Sequence, residues 1–206
     1  MRVAAYVDGY NVYHAIKNTR QNHHKWCDLK GLLQNFLLPG RETLVETHYF
    51  SALAHWKPVQ MARHRLYIAA LESTGVQTHL ARFSEKTRSC RTCGSSWTSH
   101  EEKETDVKLA VHLLKDAALN KFDRALIVSR DSDLVPAAKV FKELYPDKEL
   151  KVVAPYAAGH STEMLNICDG KHKIQRKHHE RFLLPATITL ESGRIIERPN
   201  RYNPPS

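Results

Sequence analysis

Four of the aspartates, Asp8, Asp106, Asp131 and Asp133, stand at the ends or beginnings of apolar segments. Asp8 closes the run VAAYV and is followed by Gly9 and Asn11; Asp131 and Asp133 follow ALIVS; Asp106 opens TDVKLAVHLL. Carboxylates gathered within a few ångströms repel one another, and the usual remedy is a divalent cation that inverts the local electrostatics. Oxygen donors that leave coordination positions open suit Mg²⁺ or Mn²⁺ and phosphate substrates. In a basic protein, the chemistry expected of such a set is phosphodiester hydrolysis. Each acid also has a plainer reading, because acids in a first helical turn favour the dipole and an aspartate after a strand is a routine cap. Taken singly, Asp106 and Asp133 read better as caps. Asp8 fits that reading less well, since Gly9 separates it from the helix and Asn11 would serve equally.

The acids can act together only if the chain carries them to one place. Strand-like runs (VAAYV, TLVETHYFSAL, VQTHLARF, RALIVS, ELKVVAPY) alternate with helix-like segments, the signature of a parallel sheet covered by helices on both faces. Helices are expected over Tyr10–Lys17, from Asp28 to the Pro39-Gly40 stop, from Pro58 to Gly75, through TDVKLAVHLLKDAAL, through RDSDLVPAAKVFKELYP with Ser132 or Asp133 as cap, and briefly at STEMLNICD. RALIVS is unalternated and reads as a strand buried on both faces. ATITLESGRIIERP reads as a closing hairpin about a Gly-containing turn. In an open parallel sheet, ligands bind outside the carboxyl ends of the strands. Asp8, Asp131 and Asp133 follow strands, and Asp106 begins a helix leading into one, so all belong to that rim.

The chain has 206 residues, enough for one domain with a full core, and its 42% apolar and 26% charged content is that of a globular protein. No apolar run approaches the ~20 residues of a membrane span, and the first residues lack a secretory pattern. A cytoplasmic location is expected. There, four cysteines point to free thiols or a metal rather than a disulfide framework. Lysine and arginine total 31 against 22 acids, a net charge of +9, which makes a polyanion the natural partner and no membrane.

The segments YVDGYNVYH, EEKETDVKLAVHLL, ALIVSRDSDLVPAAK and LPATITLESGRIIERP resemble the NYN domain family, relatives of the PIN nucleases in the PIN-like superfamily. The likeness covers nearly the whole chain, and the combination of D-G-x-N, T-D-V and D-S-D is specific. It implies a three-layer α/β/α PIN-like fold with a mainly parallel sheet, and metal-dependent endoribonuclease activity. Position by position, Asp8, Asp106, Asp131 and Asp133 match the acidic metal positions, and Asn11 matches the asparagine beside them. Where the family usually has glycine before D-S-D, this chain has Arg130, which can contact a phosphate or crowd the site. The domain is expected over 1–185, with a cysteine-bearing insertion at about 84–100, and a hairpin and tail over 186–206.

That insertion holds Cys90, Cys93 and His100, and C-x-x-C-G resembles half of a zinc knuckle. A fourth ligand would come from Cys27, Cys168, another histidine or a second chain, so a homodimer is compatible with it; a pair of free surface thiols is the alternative. A thioredoxin-like redox role fits poorly, because the motif does not follow a strand at a helix start. The run from Asp169 to Phe182 concentrates Lys171, Lys173, Arg176, Lys177 and Arg181. It is a solvated face or a track for an RNA backbone, with Tyr10 or Tyr13 available to stack on a base. The rival to a nuclease is an RNA-binding module of the same fold without turnover, the reading Arg130 favours. A haloacid-dehalogenase-like phosphatase would want a second acid where Tyr10 stands.

Overall fold

A computed structural model describes residues 1–205. Its centre is β1 (Arg2–Asp8), buried from Val3 onward and paired in parallel with β2 (Thr43–Ala52) on one side and β5 (Arg124–Val128) on the other. Next to β2 lies β3 (Gln77–Ser89), then the antiparallel β4 (Ser96–Lys103); beyond β5 lie β6 (Glu149–Ala154) and β7 (Gly170–Lys173). The order is therefore β4-β3-β2-β1-β5-β6-β7, parallel except at β4. β5, the ALIV strand, is wholly buried in the interior of the sheet, as its unalternated sequence requires.

The alternation of β1 separates two cores. Val3, Ala5 and Val7 pack with α1 (Gly9–Asn18), α2 (Leu29–Gln34) and α3 (Pro58–Glu72) through Val12, Ile16, Leu32, Ile68 and Leu71. Ala4 and Tyr6 pack with α4 (Thr105–Ala118) and α5 (Val135–Leu144) through Leu109, Leu113, Ala138 and Phe141, with Met164 of α6 (Thr162–Leu165) alongside. The result is three layers, α/β/α. The chain leaves β1 toward one face and leaves β5 toward the other, which makes the β1/β5 boundary the topological switch point. A third cluster joins Trp26 and Ala70 to Leu184, Tyr202 and the hairpin of β8 (Thr187–Thr189) and β9 (Ile195–Glu197). The hairpin turns at Gly193, whose φ of 78° suits a residue without a Cβ.

Three segments differ from the sequence reading. The expected insertion is a continuous ribbon, paired from Arg82↔Lys103 to Ser89↔Ser96; both its faces are polar, so it carried no apolar alternation. The basic run, read as a solvated face or a track for RNA, takes the form of edge strand β7 followed by α7 (Arg176–Arg181). α2 stops at Gln34, short of Pro39. Among the described residues, no helix is long and apolar enough to cross a membrane.

Candidate active site at the carboxyl edge of the sheet

Asp8 sits at the tip of β1, 2% exposed. Its Oδ1 accepts from the backbone N–H of Asn11 at 2.9 Å, and its Oδ2 accepts from Asn11 Nδ2 at 2.6 Å and from the Ser129 hydroxyl at 2.8 Å. Asp8 is thus the N-cap of α1, with Gly9 already helical. This corrects the argument that Gly9 keeps Asp8 from capping: the same carboxylate caps and faces the rim. Three donors leave one of its roughly four lone-pair directions free. Burial raises its pKa, the three donors pull it back, and Asp131 adds to the rise.

The tight entry to α1 explains Gly9. A Cβ there would lie 2.4 Å from Tyr49 Cζ, and that ring is buried, so the helix can start directly under the site only without a side chain.

Asp106 lies in the first turn of α4 without capping it; the cap position is Glu104, at φ 78° and with no side-chain cap bond. The start of the helix is tied instead through Glu102, which accepts from both the backbone N–H and the hydroxyl of Thr105. The Asp106 carboxyl is pushed up to about 7, first by burial and then by Asp8, Asp131, Glu102 and Asp133 in turn. Four other acids within electrostatic reach of one half-buried carboxyl mark a site that concentrates negative potential. Asp131 is the N-cap of a short 3₁₀ turn at Ser132–Leu134, accepting from Asp133 N–H at 3.0 Å, so the expected cap at Ser132 or Asp133 moves back to Asp131. Asp133 is exposed.

No three of these acids bring ligand atoms within 4.8 Å of one another among the described residues. Oxygen donors of this kind suit a divalent cation that keeps part of its water shell, as Mg²⁺ does when it takes one or two carboxylates. Asp8, Asp106 and Asp131, whose charges act on one another, could share it partly through water, with Asp133 at the margin.

Beside the acids opens a cleft of about 350 Å³, lined by Asn11, His14, Asn18, Arg130, Asp131 and Ala157 among others. Arg130 is exposed there, beside a cleft that is open rather than filled. Tyr10 and Tyr13 are 44% and 40% exposed on α1; Tyr13 carries the Lys25 ammonium 4.8 Å above its ring, and Tyr10 packs on His14 with centroids 4.3 Å apart. α7 of the basic run lies near that side, since Tyr156, whose neighbour Ala157 lines the cleft, packs on His179. Lys171, Lys173, Lys177 and Arg181 are exposed, whereas Arg176 is paired with Glu180 at 2.6 Å.

A family model for the NYN domain matches residues 2–175. The chain belongs to the NYN domain family. Among curated proteins, the 6-hydroxy-3-succinoylpyridine 3-monooxygenase HspA of Pseudomonas putida (strain DSM 28022 / S16) is 24% identical across 75% of this NYN chain, which spans 60% of that relative's length. A solved structure, a protein of unknown function from Vibrio parahaemolyticus RIMD 2210633, matches with a TM-score of 0.57 and 20% identity over 89% of this chain and 96% of that one. At this identity the likeness concerns the fold alone, an α/β/α architecture.

The zinc set does not assemble. His100 lies opposite Glu85, four residue pairs down the ribbon from Ser89↔Ser96, or roughly 13 Å at strand rise. It stacks on Trp56 with centroids 3.6 Å apart. Cys27 is buried in the α1–α3 core and Cys168 packs against the core on the opposite face. Cys90 and Cys93 at the ribbon tip therefore offer two ligands; the N–H groups of Cys93 and Thr92 lower the Cys90 thiol to about 7. Ser129 and Glu102 were missed from sequence. Ser129 reads as the last letter of a strand, and Glu102 as one acid in the run EEKE.

Proposed function

We propose that this protein is a metal-dependent endoribonuclease working at the carboxyl edge of β1 and β5. The observation that best supports this reading is the rise of the Asp106 carboxyl to about 7 under burial and four neighbouring acids, beside a cleft bearing an arginine. When bound, a divalent cation supplies Lewis-acid polarisation of the phosphate and lowers the pKa of a water molecule. The chain's own residues do the rest. Asp8 is held rigid by Asn11 and Ser129, so its open lone pair keeps a fixed direction. Asp106, with a pKa near neutrality while the acids face one another alone, gives up its proton as positive charge arrives and then faces the cation as a carboxylate. Arg130, next to Asp131 on the cleft, orients a phosphate, Tyr10 offers a base a face to stack on, and Lys171, Lys173 and Lys177 track the backbone.

Arg130 also supports a second reading, an RNA-binding module without turnover, because its exposed side chain stands on the cleft where the family usually has glycine and can hold a phosphate without cleaving it. The monooxygenase name belongs to a relative of which this chain spans 60%, and nothing at the rim argues for that activity here. Incubating wild-type protein with structured and unstructured RNA, with chelator and with added Mg²⁺ or Mn²⁺, decides between the readings. Metal-restored cleavage is expected; binding without cleavage under every metal condition selects the module.

A further inference from the structure

On the α4 face of the sheet, β2, β3 and α4 bring three histidines together: His48, His79 and His112. One ligand nitrogen from each lies within 4.8 Å of the other two. His48 Nδ1 and His79 Nε2 are 3.0 Å apart, and the His79 and His112 ring centroids are 4.0 Å apart. His48 is 1% exposed, while His79 and His112 are partly open to solvent.

The surroundings of His48 are those of a ligand. Its far nitrogen, Nε2, faces Glu46 Oε2 at 3.1 Å and Asp116 Oδ2 at 3.3 Å. Donation of an N–H to a carboxylate fixes the tautomer and leaves the near nitrogen's lone pair free, as in carboxylate–histidine–metal arrangements. The two carboxylates orient rather than ligate, because Lys121 holds Glu46 at 3.0 Å and Asp116 at 3.2 Å. Zn–N bonds of about 2.0–2.1 Å in a tetrahedron put nitrogens about 3.3–3.4 Å apart, so the His48–His79 pair needs to open only slightly. Lys115 Nζ donates to His112 Nδ1 at 3.2 Å; that lysine is 46% exposed and is free to swing into solvent when His112 ligates through Nδ1.

A plain histidine hydrogen-bond network accounts for one contact between His48 and His79, but leaves His112 gathered against them with no carboxylate of its own. We propose that His48, His79 and His112 form a nitrogen-donor site for zinc or a similar transition metal, separate from the acidic rim, that pins α4 to β2 and β3. Three imidazoles prefer such ions over Mg²⁺, the reverse of the rim's preference, and leave a fourth position for water. Because α4 also carries Asp106, the clip holds that acid's helix against the sheet.

The test uses protein without a histidine tag, stripped by chelator and dialysed against Co²⁺ or Zn²⁺. Metal stoichiometry, the visible d–d absorption of Co²⁺ and the melting temperature are read for wild type, His79→Ala, His112→Ala and Cys90→Ser/Cys93→Ser, with circular dichroism confirming the fold of each. Expected are one equivalent in wild type, a Co²⁺ spectrum without thiolate charge transfer, and a melting temperature raised by Zn²⁺. The two histidine variants lose all three, while the cysteine variant keeps them. Glu46→Gln should weaken binding by about 10- to 100-fold. Retention by the histidine variants with loss in the cysteine variant, or no bound metal in wild type, overturns the proposal.

Discussion

Mild acid is expected to destabilise this protein through His24 and His179, and the effect can be sized. Both rings are 0% exposed, stacked with centroids 5.0 Å apart, and neither has a hydrogen-bond partner at either nitrogen. Burial is the main cause holding His24 at about 4 and His179 at about 3; at His179 repulsion from His24 comes next and then His178 and His23, while at His24 His23 and Arg176 add to the lowering and Glu180 opposes it. In the unfolded chain each imidazole titrates near 6.5. Between the two values the unfolded state binds more protons, so stability falls as pH drops below about 6.5 and the loss is complete only near the folded values. At pH 4.5 each ring contributes roughly 2–3 kcal/mol of destabilisation, the pair on the order of 5 kcal/mol, against a total stability of the order of 5–15 kcal/mol. His24→Phe/His179→Phe removes both the titration and the unpartnered nitrogens, and His24→Leu/His179→Leu guards against overpacking. Denaturant unfolding at pH 7.5, 6.0 and 5.0 should show the stability of the variants falling less steeply than wild type by about 2.5 kcal/mol per pH unit below pH 6. Parallel slopes in wild type and both variants would refute the reasoning.

Gly9→Ala should cost about 1–3 kcal/mol, because the new Cβ meets the immobile Tyr49 ring; an unchanged thermal midpoint would contradict this. Arg124 lies between Glu42 and Glu149, with its own side chain 10% and that of Glu42 5% exposed, so Arg124→Ala leaves a buried carboxylate unpaired. A loss of about 3 kcal/mol in urea unfolding is expected, and a loss under ~1 kcal/mol would show that water reaches Glu42. For RNA binding, Lys171→Ala/Lys173→Ala/Lys177→Ala should weaken affinity and flatten the log–log salt dependence by about 2, at ~0.7 per phosphate contact. An unchanged slope would make the patch ordinary surface.

The parts of the molecule legible in sequence are those where a local pattern and a tertiary role coincide. VAAYV and ALIVS announce central strands because both faces are buried, and an acid at the tip of such a strand is conspicuous for the same reason. Asp8 was nonetheless only half understood, since whether Gly9 is helical depends on its fit beneath Tyr49. The β3–β4 ribbon and the strand GKHK are polar on both faces, so no periodicity distinguishes them from loop. His48, His79 and His112 come from three separate elements, each unremarkable alone. Only the pairing of β2 with β3 and the packing of α4 across them bring the rings into contact.

The central claim, that the acids at the rim carry out cleavage rather than merely begin helices, is tested most directly by Asp8→Asn. Single-turnover cleavage of RNA with Mg²⁺ or Mn²⁺ is measured beside RNA affinity under the same salt. The substitution keeps an oxygen to cap α1 but removes the charge facing the phosphate. Cleavage is predicted to fall by about 100-fold or more, the scale of losing one preorganised electrostatic group, with affinity unchanged or higher. Cleavage by the variant at the wild-type rate would contradict the account and place the activity elsewhere.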